Sequence, residues 1–187
     1  MSDLSPDLVT PLLRGRLGRP YRFLAETTST QRELDESAAE GATVAADHQT
    51  GGRGRLGRIW TDAPGRALLF SVMLRPAAEM ARWPELSVVA GEAVAAALGA
   101  GAEVSHPNDV MIGGRKVAGV LPEATAGRVV LGVGVNVNQR AGELPADAVK
   151  PPTSLYIELG HELERAPLLA AILFELERRY DAWSGVS

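Results

Sequence analysis

ALLFSVML, residues Ala67–Leu74, is a short and almost wholly apolar run that Pro76 follows two residues later. It lacks the alternation of apolar and polar residues typical of a strand with one solvent-exposed face. The run therefore predicts a central strand with both faces buried. Proline cannot donate a backbone hydrogen bond to a sheet, so Pro76 marks the end of this strand.

The residues before this run alternate between predicted strands and a predicted helix. We predict strands over Tyr21–Ala25 and Ala42–Asp47. Between them, Thr30 and Glu33 have the spacing of a helix capping box. Gly41 stands where such a helix would end, because glycine readily adopts the left-handed conformation that closes helices.

The residues after the central run continue the alternation. Gly113-Gly114 favours a tight hairpin turn between two strands, and Pro167 suits the first turn of the last helix. A mixed sheet packed against helices follows, which is an α+β fold in a single domain over residues 1–187. The predicted elements are a helix over Pro84–Leu98, strands over Glu103–Ser105, Val110–Ile112, Arg115–Leu121 and Arg128–Asn138, and helices over Leu155–Leu159 and Pro167–Trp183.

The composition excludes several classes of function. The net charge of -4 argues against a general nucleic-acid binder. The chain has no cysteine, which excludes disulfides, thiolate zinc sites and a cysteine nucleophile. The first residues, MSDLSPDLVTPLL, lack the pattern of a secretion signal, and no apolar stretch approaches the ~20 residues of a membrane span. We therefore expect a cytoplasmic protein with no membrane partner.

The segment Gly51–Trp60, GGRGRLGRIW, places three arginines among four glycines and ends on a tryptophan. Glycine disfavours a helix interior, and such crowded charge suits neither face of a strand, so the segment predicts a loop. Arginine presents a planar fork of donors that matches phosphate or carboxylate. The loop thus indicates a site for an anionic ligand, and the alternative is a solvated basic turn or a patch that contacts nucleic acid.

Polar groups in two further segments have both a functional and a structural interpretation. The hydroxyls of Thr28–Gln31 cap the predicted helix or hold a small polar ligand. Asn108 and Asp109 offer an amide and a carboxylate at a strand entrance. Lys116 interrupts an apolar strand, either on its solvent face or directed into a site. Gly119 permits close approach by a ligand, or it is a bend that relieves sheet curvature.

The strand segment GVGVNVN, Gly132–Asn138, alternates two glycines with valines. Side chains alternate between the faces of a strand, so Gly132, Gly134 and Asn136 share one face. The two glycines leave that face bare, with room for a flat ligand. The spacing differs from a dinucleotide-binding fingerprint, and no helix follows.

Together these motifs resemble those of the biotin protein ligases, the enzymes that biotinylate the carrier protein of acetyl-CoA carboxylase. The family pattern is a serine-threonine pair, then GRGRxGRxW, KWPND, (R/K)KxxGIL and GxGxNxN. This chain has counterparts in that order from Ser29 to Asn138, and the resemblance continues more loosely through TSLYIELG and the last helix. It implies the catalytic domain of that family, whose mixed sheet and helices are similar to class II synthetases.

The resemblance implies an ATP-dependent ligase that works in two steps. The biotin carboxylate attacks the α-phosphate of ATP to give biotinyl-5′-AMP and pyrophosphate, and a lysine of the biotin carboxyl carrier protein then takes the biotinyl group. Two anions must meet in the first step, so fixed positive charges are needed to offset their repulsion. Biotin, ATP and the carrier protein are the implied partners, and Mg²⁺ is expected with ATP.

The resemblance also assigns the site residue by residue. Lys116 matches the lysine between the biotin carboxylate and the phosphate, while Arg53 and Arg55 match the adenylate and pyrophosphate side, so these three are the expected catalytic residues. Trp60 is expected to shelter the adenylate, and Asp109 to organise Mg²⁺ or a loop. The expected biotin-binding residues are Ser29, Thr30, Gln31, Gln49, Gly54, Lys116, Gly119, Leu121, Gly132 and Gly134. The expected nucleotide-binding residues are Arg53, Arg55, Arg58, Trp60, Asn108, Asp109, Lys116 and Asn136.

The chain departs from the family pattern at several positions. Ser105 and His106 replace the lysine and tryptophan of KWPND, which removes one cation and one aromatic ring beside the site. Gln31 stands where the family has asparagine. The resemblance covers the catalytic domain only, so we expect neither an N-terminal DNA-binding domain nor an SH3-like C-terminal domain.

These departures keep other interpretations open. One is a biotin- or adenylate-binding module with little ligase turnover, or a module that needs a separately encoded partner. Another is a lipoate ligase or octanoyl transferase, which share the fold, although GRGRLGRIW matches the biotin branch. We expect no nucleic-acid partner, and the sequence leaves both a monomer and a homodimer open.

Overall fold

A computed structural model describes residues 2–125, 127–146 and 148–185. Its centre is a seven-stranded sheet with helices packed against it. The strands are β1 (Tyr21–Thr27), β2 (Thr43–Gln49), β3 (Ala67–Leu74), β4 (Glu103–Ser105), β5 (Asp109–Ile112), β6 (Arg115–Thr125) and β7 (Arg128–Asn136). The α-helices are α1 (Pro6–Val9), α2 (Leu86–Leu98), α3 (Leu155–Leu159) and α4 (Arg165–Ser184), and 3₁₀ turns lie at Thr10–Leu12, Thr30–Glu33, Arg55–Gly57, Met80–Glu85 and Ala141–Glu143.

The strand order is β1-β2-β3-β7-β6-β5-β4, with β1 and β2 parallel and every other neighbouring pair antiparallel. The apolar run Ala67–Leu74 is buried along its whole length, so the prediction of a central strand is confirmed. It pairs with β7 from Ala67↔Asn136 to Leu74↔Val129. The hairpin at Gly113-Gly114 is also confirmed, and both glycines adopt positive φ there.

The two faces of the sheet have different surroundings. On β7, Leu131, Val133 and Val135 belong to the main core, which they share with apolar residues of α2 and α4. Each such side chain contributes about 1.5–3 kcal/mol when it is fully removed from water. Gly132 and Gly134 point to the opposite face, because side chains alternate along a strand. That opposite face carries the candidate site.

A buried arginine ties the first residues to the last helix. Arg165 begins α4, and its guanidinium contacts the carboxylates of Asp3 and Asp47. The backbone N–H of Arg165 also donates to Asp3 Oδ2 at 2.7 Å. The Asp3 carboxylate therefore accepts a hydrogen bond from the first turn of α4, as an N-cap side chain does, although Asp3 lies far from α4 in sequence. In the described part of the chain, no helix is both long enough and apolar enough to cross a membrane.

The helix predicted from Thr30 to Gly41 is wrong, since only one 3₁₀ turn forms at Thr30–Glu33. Its expected capping carboxylate, on Glu33, accepts instead from the Thr27 hydroxyl at 2.7 Å. The Gln31 side chain donates to backbone carbonyls of β6 and β7. These long-range hydrogen bonds hold the segment along the sheet and outweigh its local helix signal.

The other differences concern the ends of elements. β1, β2 and β6 extend further than predicted, and β7 ends at Asn136 rather than Asn138. The helix predicted from Pro84 begins as an α-helix at Leu86, after the 3₁₀ turn Met80–Glu85. Pro167 is the third residue of α4 rather than the first. It still lies in the first turn, where a missing backbone N–H removes no helical hydrogen bond.

Candidate functional site

Two cavities adjoin beneath the arginine-glycine loop, Gly51–Trp60. The smaller measures about 50 Å³ and lies against the open face of the sheet. The larger measures about 820 Å³ and extends toward Pro145, Ala148 and Pro152. The two share part of their lining, namely Gly54, Arg55, Trp60, Asn108 and Lys116.

Hydrogen bonds fix the polar end of the smaller cavity. The backbone N–H and the hydroxyl of Thr30 both donate to Gln49 Oε1, at 2.8 and 3.1 Å. The Thr30 and Ser71 hydroxyls also hydrogen-bond at 2.7 Å. Ser29, at 1 % exposure, is buried beside them. The Ser29 side chain makes no capping hydrogen bond, so it does not cap the 3₁₀ turn at Thr30–Glu33.

Two side chains cover the glycine face of β6 and β7. A Cβ atom added at Gly134 would lie 2.7 Å from the Trp60 ring, and one at Gly119 would lie 3.1 Å from it. A Cβ atom at Gly132 would lie 2.8 Å from the Gln31 carboxamide. The face predicted to be bare therefore holds the indole of Trp60 and the amide of Gln31, which leave only the small cavity beside them.

The Trp60 indole is incompletely satisfied in this position. Its Nε1 is buried and has no hydrogen-bond partner among the residues that the structure describes. Leaving a buried donor without a partner costs about 1–3 kcal/mol. The position of the indole over Gly134 therefore carries this energetic cost.

The loop arginines reach different partners. Arg53 forms an ion pair with Glu123 at 2.8 Å, and Arg55 Nη1 donates to Asn108 Oδ1 at 3.3 Å. Arg58 is exposed and lines the larger cavity. The predicted loop is confirmed, although its tip contains the 3₁₀ turn Arg55–Gly57.

Asp109 holds two ammonium groups at the boundary between the cavities. Its Oδ1 lies 2.8 Å from Lys116 Nζ, and its Oδ2 lies 2.6 Å from Lys150 Nζ. Burial raises the pKa of the Asp109 carboxyl, but hydrogen bonds and charge from the two lysines outweigh burial and hold this pKa below its usual value. Lys116 Nζ also lies over the Trp60 ring, 5.6 Å from its centroid, so the Lys116 side chain is directed into the site.

The described residues form no metal site with three or more protein ligands. Within residues 2–125, 127–146 and 148–185, no three histidine, aspartate or glutamate side chains gather into a cluster that could hold a metal ion. Both carboxylate oxygens of Asp109 already accept from ammonium groups. Of the two expectations for Asp109, its contacts fit the one in which it organises a loop.

Every residue predicted for the site lines one of the two cavities. Arg58, Asp109 and Asn136 line only the larger. The Asn136 amide is engaged by the protein, since it donates to Thr153 O and accepts from Gln139. The predicted residues that line the smaller cavity are Ser29, Thr30, Gln31, Gln49, Arg53, Gly54, Arg55, Trp60, Asn108, Lys116, Gly119, Leu121, Gly132 and Gly134.

Two polar residues beside the site belong to none of the sequence motifs. Glu123 forms an ion pair with Arg53, and no local motif indicates it. Lys150 pairs with Asp109 from a loop 41 residues away in sequence. The signal that could have found Lys150 is composition, because the chain has only two lysines, Lys116 and Lys150.

The fold and the site define an α+β domain with two adjoining cavities on one face of a mixed sheet, beneath a basic loop. The model of the biotin/lipoate A/B protein ligase family matches residues 22–139. The chain belongs to this family. The resemblance deduced from the motifs and the fold class are both confirmed.

Individual relatives agree with this assignment. The bifunctional ligase/repressor BirA of Bacillus spizizenii is 36% identical over 167 residues, which cover 84% of this chain and 51% of that protein. The biotin–[acetyl-CoA-carboxylase] ligase of Mycobacterium tuberculosis is 37% identical over 200 residues, covering 96% of this chain and 73% of that one. The solved biotin protein ligase from Aquifex aeolicus, in complex with biotin and ATP, matches with a TM-score of 0.80 at 34% identity, covering 89% of this chain and 72% of that chain. The chain thus spans about half the length of the Bacillus relative.

Proposed function

We propose that this chain is an ATP-dependent biotin–protein ligase that makes biotinyl-5′-AMP and passes the biotinyl group to a lysine of a biotin carboxyl carrier protein. The observation that carries the proposal is that Lys116, Arg53 and Arg55 line one cavity together with the polar end at Ser29–Thr30 and Gln49. A cationic end and a hydrogen-bonding end suit a ligand with a carboxylate at one side and a polar ring at the other. Relatives with ligase names support the same activity.

In the first step, a carboxylate oxygen of biotin attacks the α-phosphorus of ATP. A new P–O bond forms, the bond between the α-phosphorus and the bridging oxygen breaks, and pyrophosphate leaves. Lys116 stands at the junction of the two cavities, where it can contact both the carboxylate and the phosphate. Its fixed charge, with that of Arg55, would stabilise the additional negative charge of the transition state.

The other loop residues would hold and protect the product. The loop lies over the cavity, and the exposed Arg53 side chain donates a hydrogen bond to the Glu123 carboxylate. Biotin is larger than a cavity of about 50 Å³, so Trp60 must move off the glycine face for biotin to enter. Closing the loop over the bound adenylate would exclude water from the mixed anhydride.

In the second step, the carrier lysine amine attacks the acyl carbon of the adenylate. The C–N bond forms, the C–O bond to AMP breaks, AMP leaves, and the amine proton passes to solvent. Mg²⁺ is expected with the ATP phosphates, and among the described residues no cluster of three or more ligating side chains offers a separate site for it. The chain's own residues bind and orient the two substrates.

The test is biotin-dependent formation of biotinyl-AMP and pyrophosphate by the purified chain with ATP and Mg²⁺, followed by transfer to a purified carrier protein. We expect both products. Biotin binding in calorimetry without adenylate would replace the proposal with a binding module or a chain that needs a partner. The absence of biotin binding would contradict the proposal outright.

A further inference from the structure

Lysine is much rarer than arginine in this chain. The sequence has 19 lysines and arginines, and only Lys116 and Lys150 are lysines. The structure brings both ammonium groups to Asp109, one on each carboxylate oxygen. A lysine ammonium is a compact charge with rotatable donors, so it can exchange partners more easily than a guanidinium that is fixed in a bidentate pair.

The backbone fixes this arrangement as well. The Lys116 N–H donates to Pro151 O at 2.7 Å, and the Thr153 N–H donates to Lys116 O at 2.8 Å. The segment that carries Lys150 is therefore hydrogen-bonded directly to the residue that carries the other ammonium. Lys150 is placed by the same stretch of β6 that places Lys116.

Lys150 also reaches the position where this chain departs from its family's pattern. Its Nζ donates to Ser105 Oγ at 3.1 Å as well as to Asp109. Ser105 is the residue that stands where the pattern KWPND has lysine, and it pairs with Asp109 in the β4–β5 register. The ammonium group of Lys150, on a loop far from Ser105 in sequence, thus supplies the positive charge that position 105 lacks.

A charge balance shows what a second ammonium accomplishes. The Asp109 side chain is only 14% exposed, so leaving its carboxylate without a partner is strongly unfavourable. With Lys116 as its only partner, Asp109 would hold that ammonium and cancel its charge. With Lys150 present, Asp109 keeps a partner when Lys116 turns toward a substrate, and the group of three carries a net charge of +1.

We propose that Lys150 is a positioning residue that neutralises Asp109 and so releases Lys116 for the reacting anions, in place of the cation that Ser105 lacks. This inference rests on the proposed function. Lys150 acts through Asp109 and Lys116 and need not contact biotin or ATP itself.

The activity test combines two variants. Lys150→Met removes the charge and keeps the length of the side chain, and we expect at least a tenfold lower rate of adenylate formation at saturating biotin and ATP, with biotin affinity unchanged. Adding Ser105→Lys to Lys150→Met should restore the rate, since it returns the cation from the β4 side.

A second measurement does not depend on activity. Acetylation by an amine-reactive ester, read at each lysine by peptide mass spectrometry, reports how firmly Lys116 is paired. We expect Lys150→Met to slow acetylation of Lys116 several-fold, and Asp109→Asn with Lys150→Met to reverse that effect. Arg178→Gln, which removes an exposed charge from α4 on the other side of the sheet, is the matched control and should change neither readout.

The outcomes separate the two proposals. Wild-type rates or wild-type Lys116 labelling in Lys150→Met would overturn the role of Lys150. A Ser105→Lys, Lys150→Met double variant that stays as slow as Lys150→Met would also overturn it, in favour of direct contact between Lys150 and the nucleotide. If the wild-type chain forms no adenylate, the proposed function fails, while the labelling rates still decide whether Lys150 releases Lys116. Melting temperatures of all variants check that each is folded.

Discussion

Gly134→Ala is the substitution that tests most directly whether the glycine face of β7 forms the biotin slot. Its Cβ atom would lie 2.7 Å from two ring atoms of Trp60, closer than side chains approach each other in folded proteins. The same substitution at Gly119 is milder, because the nearest Trp60 atom is then 3.1 Å away. The two glycines lie on neighbouring strands and are joined in register as Gly119↔Gly134.

The expected magnitude follows from the lack of spare volume. Inserting a methyl group into a well-packed site typically costs about 1–3 kcal/mol, and each 1.4 kcal/mol changes a dissociation constant about tenfold. Once Trp60 has moved and biotin lies on this face, the added methyl group takes up volume that biotin needs, so we expect Gly134→Ala to weaken biotin binding about 5-fold to 150-fold. Gly119→Ala should weaken it as well, because Gly119 lines the same cavity.

Isothermal titration of biotin into each variant measures these losses. Gly142→Ala is the matched control, because Gly142 has no positive φ and a Cβ atom there meets nothing within 4 Å. Its affinity should stay within about twofold of wild type. Wild-type affinity in both Gly134→Ala and Gly119→Ala would refute the placement of biotin on this face. Repeating Gly134→Ala in a Trp60→Ala background shows how much of the loss passes through the indole.

Three further outcomes are expected. Lys116→Ala should lower the rate of adenylate formation at least 100-fold and leave the melting temperature nearly unchanged, because the Lys116 side chain is partly exposed and Asp109 keeps Lys150; a rate near wild type would remove Lys116 from the reaction. Biotin should change the tryptophan emission, and Trp60→Phe should abolish the change while Trp83→Phe and Trp183→Phe retain it; a change that survives Trp60→Phe would mean that the indole does not move. Because the folded state lowers the pKa of Asp109, its contribution to stability is present above the ordinary pKa of 3.8 and is lost as pH falls through the lower folded value. Asp109→Asn should flatten that part of the acid dependence in denaturant unfolding at pH 2–6, and an unchanged slope would contradict it.

Local patterns predict the sheet well because the physical cause of each strand lies within its own residues. Ala67–Leu74 is apolar on both faces and is buried on both faces, and the two glycines at Gly113-Gly114 permit the positive φ that their turn requires. The helix predicted after Thr30 fails for the opposite reason. Its capping residue and its neighbour Gln31 bond to strands far along the chain, and a local pattern contains no information on those partners.

The candidate site divides in the same way. The sequence motifs predict which residues gather at the site, and the structure brings these residues to two adjoining cavities, while their roles stay predictions. The position of Trp60 against Gly134 could not, because the glycines predict clearance without saying whether a ligand or a side chain uses it.

Lys150 illustrates what a motif comparison leaves out. Aligned with the family pattern, Ser105 is a lost cation, and the loss weakens the interpretation of the chain as an enzyme. In three dimensions an ammonium group does reach Ser105 and Asp109, carried there by a loop that the pattern does not include. A catalytic site is defined by the charges that meet in space, so a substitution in a motif must be judged together with the side chains that pack against it. Because Lys150 contacts both Ser105 and Asp109, the departure at position 105 is no longer evidence against activity. It leads instead to a testable statement about which residue supplies the charge.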